Sequence, residues 1–378
     1  MLTLNTPLPG NCTCNALQIV LLGDKRTGEP PIDIYRMAGK RTEITDLGEF
    51  GLIDRIKNHA SLQNLTSLKG IGDDAAVIDI GTENLLLTTD MLIEGIHFDL
   101  SYVPLQHLGY KAVAVNVSDI AAMNGKPEQI IIGLALSNRF SLEAVDRLYE
   151  GIHAACKNYK VDLVGGDTTS SSSGLVISVT ALGRAAKDRT VLRSGAKPND
   201  IICATGDLGA AYIGLQVLER EKQVFQANPE MQPDLEKYEY VVGRQLKPEA
   251  RMDIIHELAE KNIIPTSMID ISDGLASELL HLAKNSNAGV KIFEEKIPID
   301  SETYNTAIEF RIDPTTTALN GGEDYELLFT IKPTDFERLK NHADIHFIGH
   351  MHDNASQSVM ISSQGTVVPI TAQGWKHF

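Results

Sequence analysis

One acidic stretch punctuated by glycines, residues 70–98, constrains this chain more than any other. It reads GIGDDAAVIDIGTENLLLTTDMLIEGIHF. Two β-rich runs, residues 75–80 and 85–89, flank a Gly-Thr-Glu-Asn turn, and this spacing predicts a β-hairpin. Antiparallel pairing about that turn brings five oxygen-bearing side chains to the open end of the hairpin: Asp73, Asp74, Thr88, Thr89 and Asp90.

The crowding of carboxylates at this end predicts a bound cation. The hairpin sets Asp74 almost opposite Asp90, and like charges so close raise one another's pKa unless a cation separates them. Because every ligand atom is oxygen, the pattern favours a hard cation, Mg²⁺ first. Gly70-x-Gly72-x-x-Ala75 also imitates a dinucleotide fingerprint, but that fingerprint must open a helix and here it opens a strand. A solvated turn with incidental acids is the alternative.

The bulk composition limits the class of protein. A chain of 378 residues, 43% of them hydrophobic, is long enough for two globular domains with separate cores. The net charge of −16 disfavours a nucleic-acid or anionic-membrane surface, so we expect neither partner. No apolar run reaches membrane-spanning length. The four cysteines form no disulfide framework, which is typical of a reducing cytoplasm.

The chain divides by composition into three segments. Residues 1–45 are rich in Pro, Gly, Thr and Asn, and we expect a poorly ordered extension with Met37 as the natural start. Residues 46–184 alternate β-rich and helical runs and form the predicted N-terminal domain. A basic, turn-rich strip at residues 185–200 marks the junction, and residues 185–378 form the predicted C-terminal α/β domain.

Two further motifs in the first half of the chain carry a carboxylate, one in an apolar helix and one beside paired glycines. Residues 105–124 predict a helix with small or apolar faces, in which Asp119 must meet a metal or another polar group. A strand at residues 161–164 leads into Gly166 and Asp167, and paired glycines let backbone amides approach phosphate closely. A turn-forming Asp is the alternative there.

The second half carries two comparable acidic corners and a candidate phosphate ligand. The motif IDISDG predicts a strand end turning into a helix, where Asp270, Ser272 and Asp273 suit a metal or phosphate. Helix capping alone would explain one of these acids. The motif NGGEDYELLF repeats the Gly-Gly-acid pattern around Glu323. Arg193, in the basic strip, suits bidentate phosphate binding. The polar residues 221–246 are interpreted as an insertion.

Together these motifs are suited to several Mg²⁺ ions that hold a polyphosphate. Phosphoryl transfer depends on positioning and charge neutralisation, not on covalent catalysis by the protein. A phosphate monoester acceptor needs no protein base, because its second pKa of about 6 leaves it dianionic near pH 7. The sequence has no P-loop, protein-kinase signature or Ser/His/Asp nucleophile order.

These motifs, in this order and spacing, resemble the thiamine-monophosphate kinase family, in the superfamily that includes aminoimidazole ribonucleotide synthetase. The resemblance covers about residues 47–378 and rests on GEFGLI, GIGDDAAV, TTDMLIEGIHF, KAVAVNVSDIAAM, VGGDTT, RSGAKPND, IDISDG, GGEDYELLFT and GWKHF. It implies ATP-dependent phosphorylation of thiamine monophosphate to the diphosphate by direct in-line transfer. It also implies a two-domain α/β fold, in which the N-terminal domain forms a dimeric β-barrel and the C-terminal α/β sandwich closes over the site.

The resemblance further implies roles for single residues. The metal positions are Asp74, Thr88, Thr89, Asp90, Asp119, Asp167, Asp270 and Asp273. The ATP positions are Gly166, Asp167, Arg193 and Ser272. The positions on the thiamine phosphate side are His97, Glu323 and Trp375. A Trp face beside a thiazolium cation is physically apt, and capping of the core is the alternative role for Trp375.

Two rival functions stay open at this point. One is a different enzyme of the same superfamily, such as the amidine cyclase that makes aminoimidazole ribonucleotide. The other is a non-catalytic Mg–nucleotide-binding protein that acts through a dimer interface. The GEDYEL and GWKHF segments favour the kinase, and a substrate screen separates the three, since kinship of fold does not fix function.

Overall fold

The computed structural model describes residues 44–60 and 62–372. The predicted N-terminal extension, apart from its last two residues, and Trp375 lie outside the described residues. The first helix, α1 (Ile44–His59), has one non-helical residue, Gly48, with a φ of 67°. The chain separates into two units within this helix, after Asp54, and the larger, compact unit begins at Arg55. All that follows concerns this larger unit.

The predicted hairpin belongs to a six-stranded sheet. Its strands are β1 (Ser67–Lys69), β2 (Ala76–Asp79), β3 (Glu83–Ile93), β4 (Lys126–Leu136), β5 (Asp162–Ser170) and β6 (Leu175–Ala186). They lie in the order β1-β2-β3-β6-β4-β5, and only β4 and β5 pair in parallel. In the hairpin Ala76 pairs with Leu87 and Asp79 with Asn84, which confirms the hairpin and centres its turn between Gly81 and Thr82, one residue earlier than predicted.

Two helices cover one face of this sheet: α2 (Leu105–Ala122) and α3 (Leu142–Tyr159). They approach each other closely because glycines lie at the crossing: a Cβ on Gly109 would lie 2.0 Å from the carbonyl oxygen of Leu148, and one on Gly151 would lie 1.8 Å from that of Gln106. Helix α2 is buried along nearly its whole length, as its small and apolar composition predicts. Polar side chains on α2 are therefore held inside the protein.

The second sheet has seven strands. They are β7 (Ile201–Thr205), β8 (Ser267–Ile271), β9 (Gly289–Phe293), β10 (Glu326–Ile331), β11 (Ile345–His352), β12 (Ser358–Ile361) and β13 (Val367–Pro369). The order is β13-β12-β9-β11-β7-β10-β8, so β8 lies at one edge. The first sheet ends at Ala186 and the second begins at Ile201, whereas the domain boundary at residue 185 stays a prediction.

Along the chain, the remaining helices follow strands β7, β8, β9 and β10 of this second sheet. They are α4 (Ala210–Ala227), α5 (Glu239–Leu246), α6 (Met252–Glu260), α7 (Leu275–Ser286), α8 (Ser301–Glu309), α9 (Pro314–Asn320) and α10 (Phe336–Leu339). Short 3-10 turns occur at Glu236–Tyr238, Glu294–Lys296 and Pro333–Asp335. Within the described ranges, no helix combines the length and apolarity needed to cross a membrane.

Residues 221–246, interpreted from their polarity as an insertion, pack into the protein. This stretch contains the end of α4 and all of α5, and its Tyr238, Val241 and Val242 are buried in a core shared with α4 and Ala307. The polar residues form the solvent face, while Arg220 places its guanidinium 5.0 Å from the centre of the Tyr238 ring. The average polarity of the stretch concealed an amphipathic helix.

Candidate active site

Three aspartates from distant parts of the sequence converge at one point. Asp74 precedes β2, Asp119 lies in α2 and Asp270 lies in the edge strand β8. Each offers a carboxylate oxygen, and these oxygens lie within 4.8 Å of one another. Asp74 is 6% exposed and Asp270 is 3% exposed. This acid cluster joins the six-stranded sheet, its covering helix and the edge of the seven-stranded sheet.

Ionisation of the buried acid cluster is energetically unfavourable, because burial and neighbouring charges disfavour the carboxylate form. Burial, followed by the charge of Asp74, raises the pKa of Asp270 to about 8. Burial, with the charges of Asp90, Asp270 and Asp74, raises the pKa of Asp119 well above its ordinary value, and burial raises that of Asp90 to about 6. A divalent cation would favour the ionised forms and satisfy oxygen donors of the type that Mg²⁺ prefers. The donor set therefore fits a hard cation.

Strand β3 presents alternate side chains to the cluster. The hydroxyl of Thr88 donates to Asp119 Oδ2 at 2.6 Å, and the backbone N–H of Asp90 donates to Asn116 Oδ1 at 3.1 Å. Thr89, one position out of phase, is exposed and donates to a backbone carbonyl of β6 at 3.0 Å. Because side chains alternate along a strand, the structure brings Thr88 and Asp90 to the cluster and does not bring the side chain of Thr89.

Helix α2 and strand β8 are joined by a hydrogen bond that sequence reasoning missed. The hydroxyl of Ser118 donates to Asp270 Oδ2 at 2.6 Å, and Ser118 is fully buried. The one local signal was a hydroxyl directly before Asp119 in a helix that is otherwise apolar. Asp270 thus keeps a donor in the absence of any cation.

Arg193 neutralises the acid cluster from one side. Its Nε and Nη2 donate to the two carboxylate oxygens of Asp74 at 3.2 and 2.9 Å. Its backbone N–H donates to Asp73 Oδ1 at 2.8 Å, and Lys69 Nζ lies 2.9 Å from Asp73 Oδ2. The bidentate geometry suits phosphate as well as carboxylate. Arg193, a predicted ATP position, is thus paired with Asp74, a predicted metal position.

The Gly165-Gly166-Asp167 segment lies within a strand. The predicted strand at residues 161–164 continues as β5 through Ser170, and Asp167 is exposed in it. The alternative of a turn-forming Asp is therefore wrong. A Cβ on Gly166 would lie 2.0 Å from the carbonyl oxygen of Ile132 in β4, which explains the glycine by close strand packing. Within residues 44–60 and 62–372, Asp167 is not part of the converging acid cluster.

The IDISDG corner turns as predicted, and neither of its acids is the N-cap residue of the helix. Strand β8 ends at Ile271, and the N-cap of α7 is Gly274, which makes no side-chain cap hydrogen bond. Asp270 belongs to the strand and the acid cluster. The backbone N–H of Asp273 donates to Oε1 of Glu278, a fully buried residue of α7 (2.9 Å). The corner is thus fixed from within α7.

The GGED loop packs onto that corner. The backbone N–H of Glu323 donates to the carbonyl of Ser272 at 2.6 Å, and that of Tyr325 donates to the carbonyl of Ile271 at 2.9 Å. Glu323 and Tyr325 both have positive φ, 59° and 52°. The side chain of Asp324 accepts from the backbone N–H of Gly209 at 2.8 Å, at the start of α4. Ser272, a predicted ATP position, and Glu323, a predicted substrate position, are thus neighbours.

Tyr325 is a further residue that sequence reasoning left unassigned. Burial raises the pKa of its hydroxyl well above the ordinary value, and so do the charges of Glu323, Asp90, Asp270 and Asp119. The charges of the acid cluster thus act on this hydroxyl. His97 lies in the turn after β3, where its Nδ1 accepts from the backbone N–H of Ile93 at 3.0 Å.

The comparisons with known proteins address the same region and the chain as a whole. The model for the family "AIR synthase related protein, N-terminal domain" matches residues 72–185. The thiamine-monophosphate kinase of Aquifex aeolicus is 37% identical over 336 residues, which are 89% of this chain and 99% of that protein. This chain belongs to the thiamine-monophosphate kinase family.

Two further members and neighbours agree with this assignment. The thiamine-monophosphate kinase of Bacillus subtilis is 34% identical over 348 residues, 88% of this chain and 100% of that protein. The structure of AaThiL complexed with AMPPCP and TMP is 34% identical, has a TM-score of 0.75 and covers 90% of this chain and 100% of its own. The family resemblance and the α/β fold predicted from the motifs are both confirmed.

Proposed function

We propose that this protein transfers the γ-phosphoryl group of ATP to thiamine monophosphate, in the cytoplasm, as the last step of thiamine diphosphate biosynthesis. An oxygen of the substrate phosphate attacks the γ-phosphorus, and ADP leaves with the electrons of the bond that breaks. Family membership supports the substrates, since relatives that match over nearly their whole length are thiamine-monophosphate kinases. The observation that carries the proposal is the convergence of Asp74, Asp119 and Asp270.

Magnesium is the metal that the acid cluster fits. When bound, it would neutralise charge on the transferring phosphoryl group. The residues proposed to hold several ions are those implied by the family motifs: Asp74, Thr88, Thr89, Asp90, Asp119, Asp167, Asp270 and Asp273. Buried carboxylates with raised pKa support Asp90, Asp119 and Asp270. Thr89 has the least support, because its hydroxyl is turned toward β6.

The ATP side is proposed to consist of Gly166, Asp167, Arg193 and Ser272. The guanidinium of Arg193 has the fork geometry that binds phosphate through two hydrogen bonds. In this structure both hydrogen bonds go to the carboxylate of Asp74. When a cation takes over the charge of Asp74, Arg193 becomes available to an anionic phosphate at the same place.

The thiamine phosphate side is proposed to consist of His97, Glu323 and Trp375. No protein base is assigned, because the second pKa of a phosphate monoester, about 6, leaves the acceptor dianionic near neutral pH. The task of these residues is to bind and orient the acceptor so that its oxygen lies in line with the leaving group. The contact of Glu323 with Ser272 joins this side to the ATP side.

We also propose that the six-stranded sheet forms a homodimer by closing a shared β-barrel. The sheet face turned away from α2 and α3 exposes apolar side chains, with Met91 51% and Ile131 42% exposed. Their neighbours along each strand, Leu92 and Ile130, are buried on the opposite face. An exposed apolar sheet face is typical of an interface, and an equal copy of the same face would cover it symmetrically.

A coupled assay tests the proposed reaction. ADP release from Mg·ATP is measured with and without thiamine monophosphate, and the product is separated by chromatography. We expect one thiamine diphosphate per ADP, and loss of both products when Mg²⁺ is chelated. ATP binding without diphosphate formation would contradict the kinase and favour another superfamily activity or a nucleotide-binding module.

A further inference from the structure

Lys111 is a buried cation that the proposed site does not yet use. It lies on α2, about two helical turns before Asp119, and is only 3% exposed. Its Nζ lies 3.0 Å from Oε2 of Glu323 and donates to the backbone carbonyl of Gln245 at 3.4 Å. A buried ammonium is costly unless it is paired. Its carboxylate partner is a residue proposed to contact the substrate.

Glu323 is held from two sides at the same oxygen. Besides Lys111, Nε2 of Gln245 donates to its Oε2 at 2.7 Å. Neither of these donors uses Oε1. The backbone of Glu323 has a left-handed φ of 59° and is anchored to Ser272. Both its backbone and one of its carboxylate oxygens are therefore fixed before any substrate arrives.

We propose that Lys111, assisted by Gln245, is a positioning residue that aims Glu323 at the thiamine phosphate acceptor. The inference rests on the proposed function, because it takes Glu323 to lie on the substrate side. By occupying Oε2, the two donors leave Oε1 for a hydrogen-bond donor of the substrate, such as an amino group. The positive charge of Lys111 also offsets the charge of Glu323, so that an anionic acceptor can bind beside it.

A purely structural ion pair would behave differently. A pair that only fastened α2 to the GGED loop would change stability and would affect both substrates alike. A positioning pair acts on one substrate and acts through Glu323. The KM for each substrate and the coupling between the two residues therefore separate the two roles.

The experiment compares Lys111→Met and Lys111→Arg with Lys157→Met, an exposed lysine on the outer side of α3. Loss of a charge-assisted hydrogen bond predicts a rise of about 10- to 100-fold in the KM for thiamine monophosphate in Lys111→Met. The KM for ATP is expected to stay within about twofold, because the lost interaction contributes to the binding of one substrate only. Lys111→Arg, which keeps the charge, is expected to restore part of the loss, and Lys157→Met to match the wild type.

The double variant Lys111→Met/Glu323→Gln decides whether one residue acts through the other. If so, the double variant is no worse than the more impaired single variant. Multiplicative losses, or equal rises in both KM values, would overturn the inference while leaving an active kinase. A wild-type protein without thiamine diphosphate production would overturn the proposed function, and this inference with it.

Gln245→Met keeps the test decisive if Lys111→Met does not fold. It removes the second donor to Glu323 and leaves both the backbone carbonyl of residue 245 and Lys111 in place. We expect a rise of several-fold, of order fivefold, in the KM for thiamine monophosphate alone, as for loss of a single hydrogen bond. An unchanged KM in this variant contradicts the inference.

Discussion

Substitution of Asp270 by Asn should make the metal-free protein more stable and at the same time weaken its response to Mg²⁺. Asp270 is buried, receives one hydrogen bond from Ser118 and faces the charge of Asp74. An uncharged amide of the same shape removes the repulsion and the desolvation cost of the carboxylate. It also removes a ligand from the proposed metal site.

The magnitude follows from the raised pKa. Burial and the charge of Asp74 raise the pKa of Asp270 from 3.8 to about 8. Because the folded state holds this proton more tightly, the stabilising contribution is complete below pH 3.8 and is lost as the pH rises through about 8. Linkage then lowers the free energy of unfolding at pH 7 by up to about 4 kcal/mol relative to its value at low pH. Asp270→Asn should recover on the order of 2 to 4 kcal/mol there in the absence of metal.

The assay is urea unfolding followed by circular dichroism, in EDTA and in Mg²⁺, at pH 7 and near pH 4. We expect the variant to exceed the wild type in EDTA at pH 7, and the difference to shrink toward pH 4. In Mg²⁺ the wild type should gain stability and the variant much less. Asp146→Asn, an exposed acid on α3, is the matched control. A variant less stable than the wild type in EDTA, or equal Mg²⁺ effects on both, would refute the reasoning.

Three further predictions test other parts of the site. Asp74→Asn and Asp119→Asn should each lower kcat by at least about 100-fold while the circular dichroism spectrum stays native, and near-normal turnover in both would refute the metal assignment. Gly166→Ala should lower the free energy of unfolding by about 3 kcal/mol or more, because its Cβ would lie 2.0 Å from a backbone carbonyl of β4. Gly165→Ala, whose Cβ would have its nearest neighbour at 3.9 Å, is the control, and equal losses would contradict the packing argument. Trp375→Ala should raise the KM for thiamine monophosphate more than that for ATP, whereas equal effects would indicate a structural role.

The sequence by itself determined the local elements and the chemical character of the site. The hairpin followed from its spacing, with its turn one residue off, and the helix predicted over residues 105–124 is observed as Leu105–Ala122. Both depend on short-range patterns of apolar and turn-forming residues. The acid motifs also predicted a metal-dependent chemistry, because carboxylates recur beside glycines at GIGDD, VGGD, IDISDG and GGED. The average polarity of residues 221–246 did not reveal their amphipathic helix, which buries Val241.

Only the tertiary structure decided which side chains meet. The period of two along β3 turns Thr88 toward the cluster and Thr89 away from it, although the two look equivalent in the sequence. Ser118 reaches Asp270, and Lys111 reaches Glu323, across 152 and 212 positions of the chain. Such contacts have no local signal, because they arise where α2 is buried against strand β8 and the GGED loop. The burial that raises the pKa of Asp270 likewise exists only once the two sheets have closed around that helix.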